Sequence, residues 1–190
     1  MKKKYLYIGL ISIAVIGVAS VVIYSMRNRN KKSTKKGSKN IIIGDSQTPF
    51  IDAQTTKASR LSETAGEDSL WKGGMGLSWL KKAVDKHAVD EDVANVIVNI
   101  GTNGGFNAYE DIDGLFSSLK SKFPNAKFYA VKGSWGWGGN ASITENQVNQ
   151  YYDKFKKYAK VLNPAIGKVK DPHGNLPIYK QIGQAIDNEL

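Results

Sequence analysis

The feature that most limits the fold of this 190-residue chain is the alternation, after residue 40, of short apolar runs with longer amphipathic stretches. Two of the runs, 41–43 and 96–98, consist only of isoleucine and valine. Strands that lack alternating polar residues are buried on both faces, which is typical of a parallel sheet with helices on each side. The sequence therefore predicts a three-layer α/β/α sandwich with a mainly parallel sheet.

Hydrophobic periodicity and turn residues predict where the elements of this sandwich lie. The predicted strands are 40–44, 69–72, 94–100 and 126–132, and the predicted helices are 77–88, 109–123, 144–161 and 176–189. Residues 40–190 are enough for one domain with its own core. In such a sheet the loops at the carboxyl ends of the strands form the ligand crevice, so functional side chains are expected there.

An uncharged apolar segment, residues 5–26, precedes the predicted domain. A helix of this length extends about 33 Å, enough to cross a hydrocarbon core of about 30 Å. We therefore expect residues 1–26 to form one N-terminal transmembrane helix that makes the protein a single-pass membrane protein. A cleaved signal peptide, ending near Ala19, is the alternative.

Positive charge is concentrated near this segment. The chain has a formal net charge of +10, and the basic residues of 1–40, where no acidic residue occurs, are Lys2, Lys3, Lys4, Arg27, Arg29, Lys31, Lys32, Lys35, Lys36 and Lys39. The rest of the chain is balanced, so we expect no nucleic-acid partner. Residues 27–39 predict a basic flexible linker between the anchor and the domain 40–190. Because basic residues flank both ends of the apolar segment, charge leaves the side of the membrane open.

The absence of cysteine limits the chemistry to hydroxyl, carboxylate, amide and imidazole groups. Ser46 follows the first strand in the turn Gly44-Asp45-Ser46, where a serine can act as a nucleophile if a histidine removes its proton. The alternative is that Asp45 or Ser46 only caps the following segment. No metal or cofactor is expected.

The chain has two histidines that could serve as the base. His173 follows Asp171 in the loop before the last predicted helix, whereas His87 falls near the end of a helix with an apolar stripe. We therefore predict His173 as the general base and expect His87 to pack against the core or cap its helix. Two other loops can supply hydrogen-bond donors to an anion, the glycine-rich loop 73–76 and the turn that contains Asn103, although both compositions are also ordinary in turns.

The four loops together resemble the sequence blocks of the SGNH/GDSL hydrolases, a family named for one Ser, Gly, Asn and His. The matching segments are IIIGDSQT, WKGGMGLSWL, VIVNIGTN and DPHG, in the family's order, and the resemblance spans residues 40–187. The resemblance implies a flavodoxin-like fold, with Ser46 as nucleophile and His173 as general base. It also implies an oxyanion hole formed by the Ser46 N–H, the Gly74 N–H and the Asn103 amide.

Two positions depart from the family's pattern. The family usually places its acid three residues before the histidine, where this chain has Lys170, and Asp171 lies two residues before instead. Gly104 stands where the family often has Asp. We still predict Asp171 as the third catalytic residue, because the acid of a triad orients the histidine and does not transfer the proton.

The resemblance implies a serine esterase that cleaves carboxylic esters, with a small-molecule or glycan ester as substrate. Trp135 and Trp137 follow the strand at 126–132 in a glycine-rich loop and suit stacking on a sugar ring or an acyl chain, which favours a short acyl ester on a carbohydrate. The alternative is that these rings close a small core. A catalytically weak or inactive binding module, tethered to a membrane, is the alternative function.

Overall fold

The computed structural model of the protein describes residues 37–137, 141–169 and 171–190. The predicted anchor, 1–26, and the first ten residues of the predicted linker, 27–36, lie outside these ranges. Within the described ranges, no helix is both long and apolar enough to cross a membrane.

The described residues contain a four-stranded sheet in which every neighbouring pair is parallel. Its strands, in spatial as in sequence order, are β1 (Lys39–Gly44), β2 (Val93–Asn99), β3 (Lys127–Val131) and β4 (Lys160–Leu162). The apolar ends of β1 and β2 are buried on both faces, as their composition predicts. The prediction of a parallel sheet is confirmed.

Helices cover both faces of this sheet. They are α1 (Thr48–Asp52), α2 (Leu77–Lys86), α3 (Ile112–Lys122), α4 (Glu145–Phe155) and α5 (Leu176–Glu189). One core joins α2, α3 and α4 to strand residues such as Ile43 and Val98. The other core joins α1 and α5 to Ile42 and Ile97, which point the opposite way because side chains alternate along a strand. The described domain is therefore the predicted three-layer sandwich.

Two predicted elements were wrong. The helix predicted at 144–161 ends at Phe155, and its last two residues, Lys160 and Val161, belong to β4. The strand predicted at 69–72 is reduced to an isolated bridge between Trp71 and Gly44. Leu70 has φ 57°, a left-handed conformation that an extended strand does not contain, and this explains why no longer strand forms there.

The end of β1 requires a glycine. Gly44 has φ 148°, and a Cβ added to it would lie 1.8 Å from the carbonyl oxygen of Asn99 at the end of β2. Any side chain here would push the two strand ends apart. This close approach places the turn that follows β1 directly beside the end of β2, at the carboxyl edge of the sheet.

Candidate active site

Ser46 lies in the turn between β1 and α1, half-buried at the carboxyl edge of the sheet. Its Oγ is 2.9 Å from Nε2 of His173, although the two residues are 127 positions apart in sequence. The first residue before α1 is Gln47, and α1 has no side-chain capping bond at its amino end. The capping alternative therefore does not describe Ser46, whose hydroxyl is directed to the imidazole.

Asp171 holds the other nitrogen of that imidazole. Its Oδ1 lies 2.8 Å from Nδ1 of His173 and also accepts, at 2.9 Å, the backbone N–H of the same residue. The backbone bond and then the ring bond hold the pKa of the Asp171 carboxyl below its usual value of 3.8. When the imidazole carries its hydrogen on Nδ1, the Nε2 lone pair faces Ser46 and can accept the hydroxyl proton.

His87 is the other histidine of the chain, and its environment differs from that of His173. It directly follows α2 as its C-cap residue, and its backbone N–H donates to the carbonyl oxygens of Ala83 and Val84. Its ring packs against Phe123, with 5.6 Å between the ring centroids. Its place agrees with the expected packing or capping role.

The glycine-rich loop 73–76 passes beside Ser46. A Cβ added to Gly73 would be in ordinary van der Waals contact with Cβ of Ser46, at 3.6 Å, so the loop passes close to the serine. Gly74 has φ 74°, the left-handed conformation that favours glycine. Among the described residues, neither the Ser46 N–H nor the Gly74 N–H donates to a protein acceptor. Neither group is therefore committed to an acceptor within this part of the chain.

Asn103 lies on a short 3₁₀ turn, Thr102–Gly104, after β2. Its Nδ2 donates to Oδ2 of Asp45 at 3.3 Å and to the carbonyl oxygen of Met75 at 3.2 Å. A carboxamide has two N–H groups, so both are engaged within the protein.

Asp45 is the site residue that the sequence analysis missed, because it was considered only as a helix cap. Its side chain is 1% exposed and accepts hydrogen bonds from the Gln47 N–H at 3.0 Å, from Asn99 Nδ2 at 3.2 Å and from Asn103. Burial raises the pKa of this carboxyl to about 6, against these bonds and the favourable charge of His173. Asp45 thus links the serine turn to the amide of Asn103. The signal for it lies in another segment of the sequence, where Asn99 ends β2 and Asn103 is in the turn that follows.

Replacing Asp45 with asparagine is expected to remove a pH dependence of stability. Because its folded pKa of about 6 exceeds the unfolded value of 3.8, this carboxyl favours the folded state most at low pH, and that contribution is lost as pH rises from 4 to 6. This difference between the folded and the unfolded pKa of Asp45 corresponds to about 3 kcal/mol in the free energy of unfolding. Urea unfolding of the unmodified protein and of Asp45→Asn between pH 4 and pH 7 measures the change in pH dependence.

Asp113→Asn is the control for that measurement, since the pKa of Asp113 is lowered by its bond to Tyr158 and its replacement should change the pH dependence in the opposite direction. If the unfolding free energy of Asp45→Asn varied with pH in the same way as that of the unmodified protein, this would contradict the raised pKa of Asp45.

The two tryptophans of the glycine-rich loop have different environments. Trp135 is 5% exposed and belongs to the core that contains α4, with Lys132 Nζ 5.9 Å from its ring centroid. Its predicted place at the substrate is therefore corrected: this ring helps to close the core, as the alternative stated. Trp137 contacts His173, with ring centroids 5.3 Å apart and planes at 90°.

Phe50 is a second aromatic residue beside His173, and the sequence analysis did not select it. It lies on α1, is 38% exposed, and its ring centroid is 5.7 Å from that of the imidazole. It also stacks on Tyr179 of α5 at 5.1 Å. No pattern in the sequence distinguishes this phenylalanine from a core residue, because its exposure depends on how α1 packs.

Comparisons with known proteins agree with the fold. No family model and no curated protein matches the sequence. Among solved structures, a protein from Desulfitobacterium hafniense DCB-2 assigned to the G-D-S-L family of lipolytic proteins superposes with a TM-score of 0.52 at 14% identity, over 81% of this chain and 100% of that one. A Streptococcus pneumoniae protein assigned as a platelet activating factor superposes with a TM-score of 0.53 at 13% identity, over 94% of this chain and 98% of that one. The chain therefore has the fold of the SGNH/GDSL hydrolases.

Proposed function

We propose that the protein is a serine esterase in which Ser46 attacks the carbonyl carbon of an ester. The observation that carries this proposal is the continuous arrangement of Ser46, His173 and Asp171, with 2.9 Å and 2.8 Å between successive polar atoms. These are hydrogen-bond distances that a nucleophile, a base and an orienting acid require. The free N–H groups beside Ser46 support the proposal, since acyl transfer needs donors for an oxyanion.

The proposed reaction has two halves. Nε2 of His173 removes the proton of Ser46 as Oγ bonds to the carbonyl carbon, and the carbonyl oxygen becomes an oxyanion held by the backbone N–H of Ser46 and Gly74 and by Asn103. The ester C–O bond then breaks, and His173 gives its proton to the departing alcohol. Water, deprotonated by His173, attacks the acyl-serine, releasing the carboxylic acid and restoring the serine hydroxyl. Asp171 stabilises the imidazolium that forms in each half.

We propose a short acyl ester carried by a glycan as the substrate class. Trp137 supports this choice, because an aromatic ring beside the base suits the apolar face of a sugar. A catalytically inactive binding module is the second candidate. It is favoured by Asn103, both of whose amide N–H groups already have protein acceptors.

Hydrolysis of an aryl acetate by the full chain, purified in detergent, separates the two candidates. We expect the unmodified protein to release the phenol much faster than a Ser46→Ala variant prepared in the same way. Equal rates for the two proteins would contradict the esterase and favour the binding module.

We also propose that the protein is held in a membrane by residues 5–26, which have no charge and sufficient length. Full-length protein should then stay with the membrane fraction after a high-salt wash and after a carbonate wash, because both remove proteins that are held only by charge. Its release into the supernatant at full length would contradict a membrane-spanning segment.

A further inference from the structure

Two aromatic rings flank the imidazole of the proposed base. Phe50 and Trp137 both approach His173 edge to face, at interplanar angles of 73° and 90°. Phe50 belongs to α1, next to Ser46, and Trp137 belongs to the loop after β3, so two distant segments converge on one side chain. Phe50 also leaves more than a third of its surface exposed, so part of its ring is accessible beside the imidazole.

The proposed mechanism determines which half of an ester these two rings would contact. The carbonyl oxygen turns towards the backbone N–H groups beside Ser46, while the alcohol oxygen must reach Nε2 of His173 to receive its proton. The carbon atoms next to that oxygen then lie beside the imidazole. Rings in contact with the imidazole are therefore placed to touch the alcohol, and the acyl group lies on the other side of the carbonyl carbon.

The surroundings of Phe50 indicate the chemistry of that alcohol. Its neighbours are the imidazole of His173 and the ring of Tyr179, and the exposed carboxylate of Asp171 is bonded to the same imidazole. This is an open surface with flat apolar faces and a nearby negative charge. It suits a neutral ring with C–H groups on its faces and hydroxyls at its edge, and it disfavours an alcohol that carries a phosphate.

We propose that Phe50 and Trp137 form an aromatic pair that binds the sugar ring of the alcohol half of the substrate, with Phe50 determining specificity for that half. This inference rests on the proposed esterase. It assigns the selectivity of the site to the leaving group, so acyl length is a secondary determinant.

A binding measurement tests the pair without turnover. The probe is an acetylated xylo-oligosaccharide, titrated by calorimetry into the full chain carrying Ser46→Ala. Adding Phe50→Ala is expected to weaken binding about tenfold, the usual loss for one stacking ring, whereas Phe50→Tyr, which keeps the ring, should retain it. Tyr109→Ala is the matched control, because Tyr109 is an aromatic residue that is 97% exposed, and it should leave binding unchanged.

Kinetics on the protein with Ser46 intact then distinguish the two halves of the ester. Phe50→Ala should raise KM for the acetylated sugar about tenfold more than it raises KM for ethyl acetate. Unchanged affinity for the sugar in Phe50→Ala, or a loss that follows acyl length in a series of ethyl esters, would overturn the pair. Ring-dependent binding without any hydrolysis would support the pair and contradict only the proposed esterase.

Discussion

Alanine at His173 is expected to lower kcat for an aryl acetate by about 10⁴- to 10⁶-fold, as much as alanine at Ser46. The hydroxyl of Ser46 is inert at neutral pH without a base, and within the described residues His173 is the imidazole that contacts it, at 2.9 Å. Because the two residues act as one unit, the double variant should be no slower than either single variant.

His87→Ala is the matched control for this prediction. It removes the other histidine of the chain, which directly follows α2 and packs against Phe123, and it should leave kcat nearly unchanged. A His173→Ala protein that retains more than about a tenth of the original kcat would contradict the role of the base, because base removal in such a unit costs far more than this.

Asparagine at Asp171 is expected to lower kcat by between about threefold and about 10⁴-fold, with little change in fold. The carboxylate accepts the Nδ1–H of His173 at 2.8 Å, which fixes the tautomer whose Nε2 faces Ser46. The same oxygen also accepts the backbone N–H of His173, so part of its hydrogen-bonding capacity is used locally, and we expect less than the full loss seen in other triads.

The measurement is kcat for Asp171→Asn beside Ser46→Ala, with circular dichroism to establish that each protein is folded. Asp113→Asn is the control, since Asp113 is an exposed aspartate paired with Lys157. A fall of less than about threefold in Asp171→Asn, with His173→Ala still inactive, would remove Asp171 from the mechanism and leave a Ser-His pair.

The layers of the fold could be predicted because they follow from composition. Apolar runs such as 41–43 need cover on both faces, and the helix at 176–189 has the predicted bounds. The strand β4 could not be predicted, since its three residues are too few to show a period of their own. The bridge at Trp71 depends on the left-handed conformation of Leu70, which composition does not reveal.

The proposed catalytic residues could be predicted better than the residues that surround them. Ser46, His173 and Asp171 were selected from turn chemistry and from the family resemblance, and the structure brings their polar atoms within hydrogen-bond distance. Asp45 and Phe50 were missed for different reasons. The role of Asp45 depends on how deeply it is buried, and that of Phe50 on how α1 packs, and neither property is encoded by a local pattern.

The role of Ser46 as nucleophile can be tested by treating the full chain with a fluorophosphonate probe and locating the label by peptide mass mapping. We expect one label, on the Oγ of Ser46, which is absent from Ser46→Ala and strongly reduced in His173→Ala because the probe reacts only with an activated serine. A label on another residue, or labelling of Ser46→Ala equal to that of the unmodified protein, would contradict it.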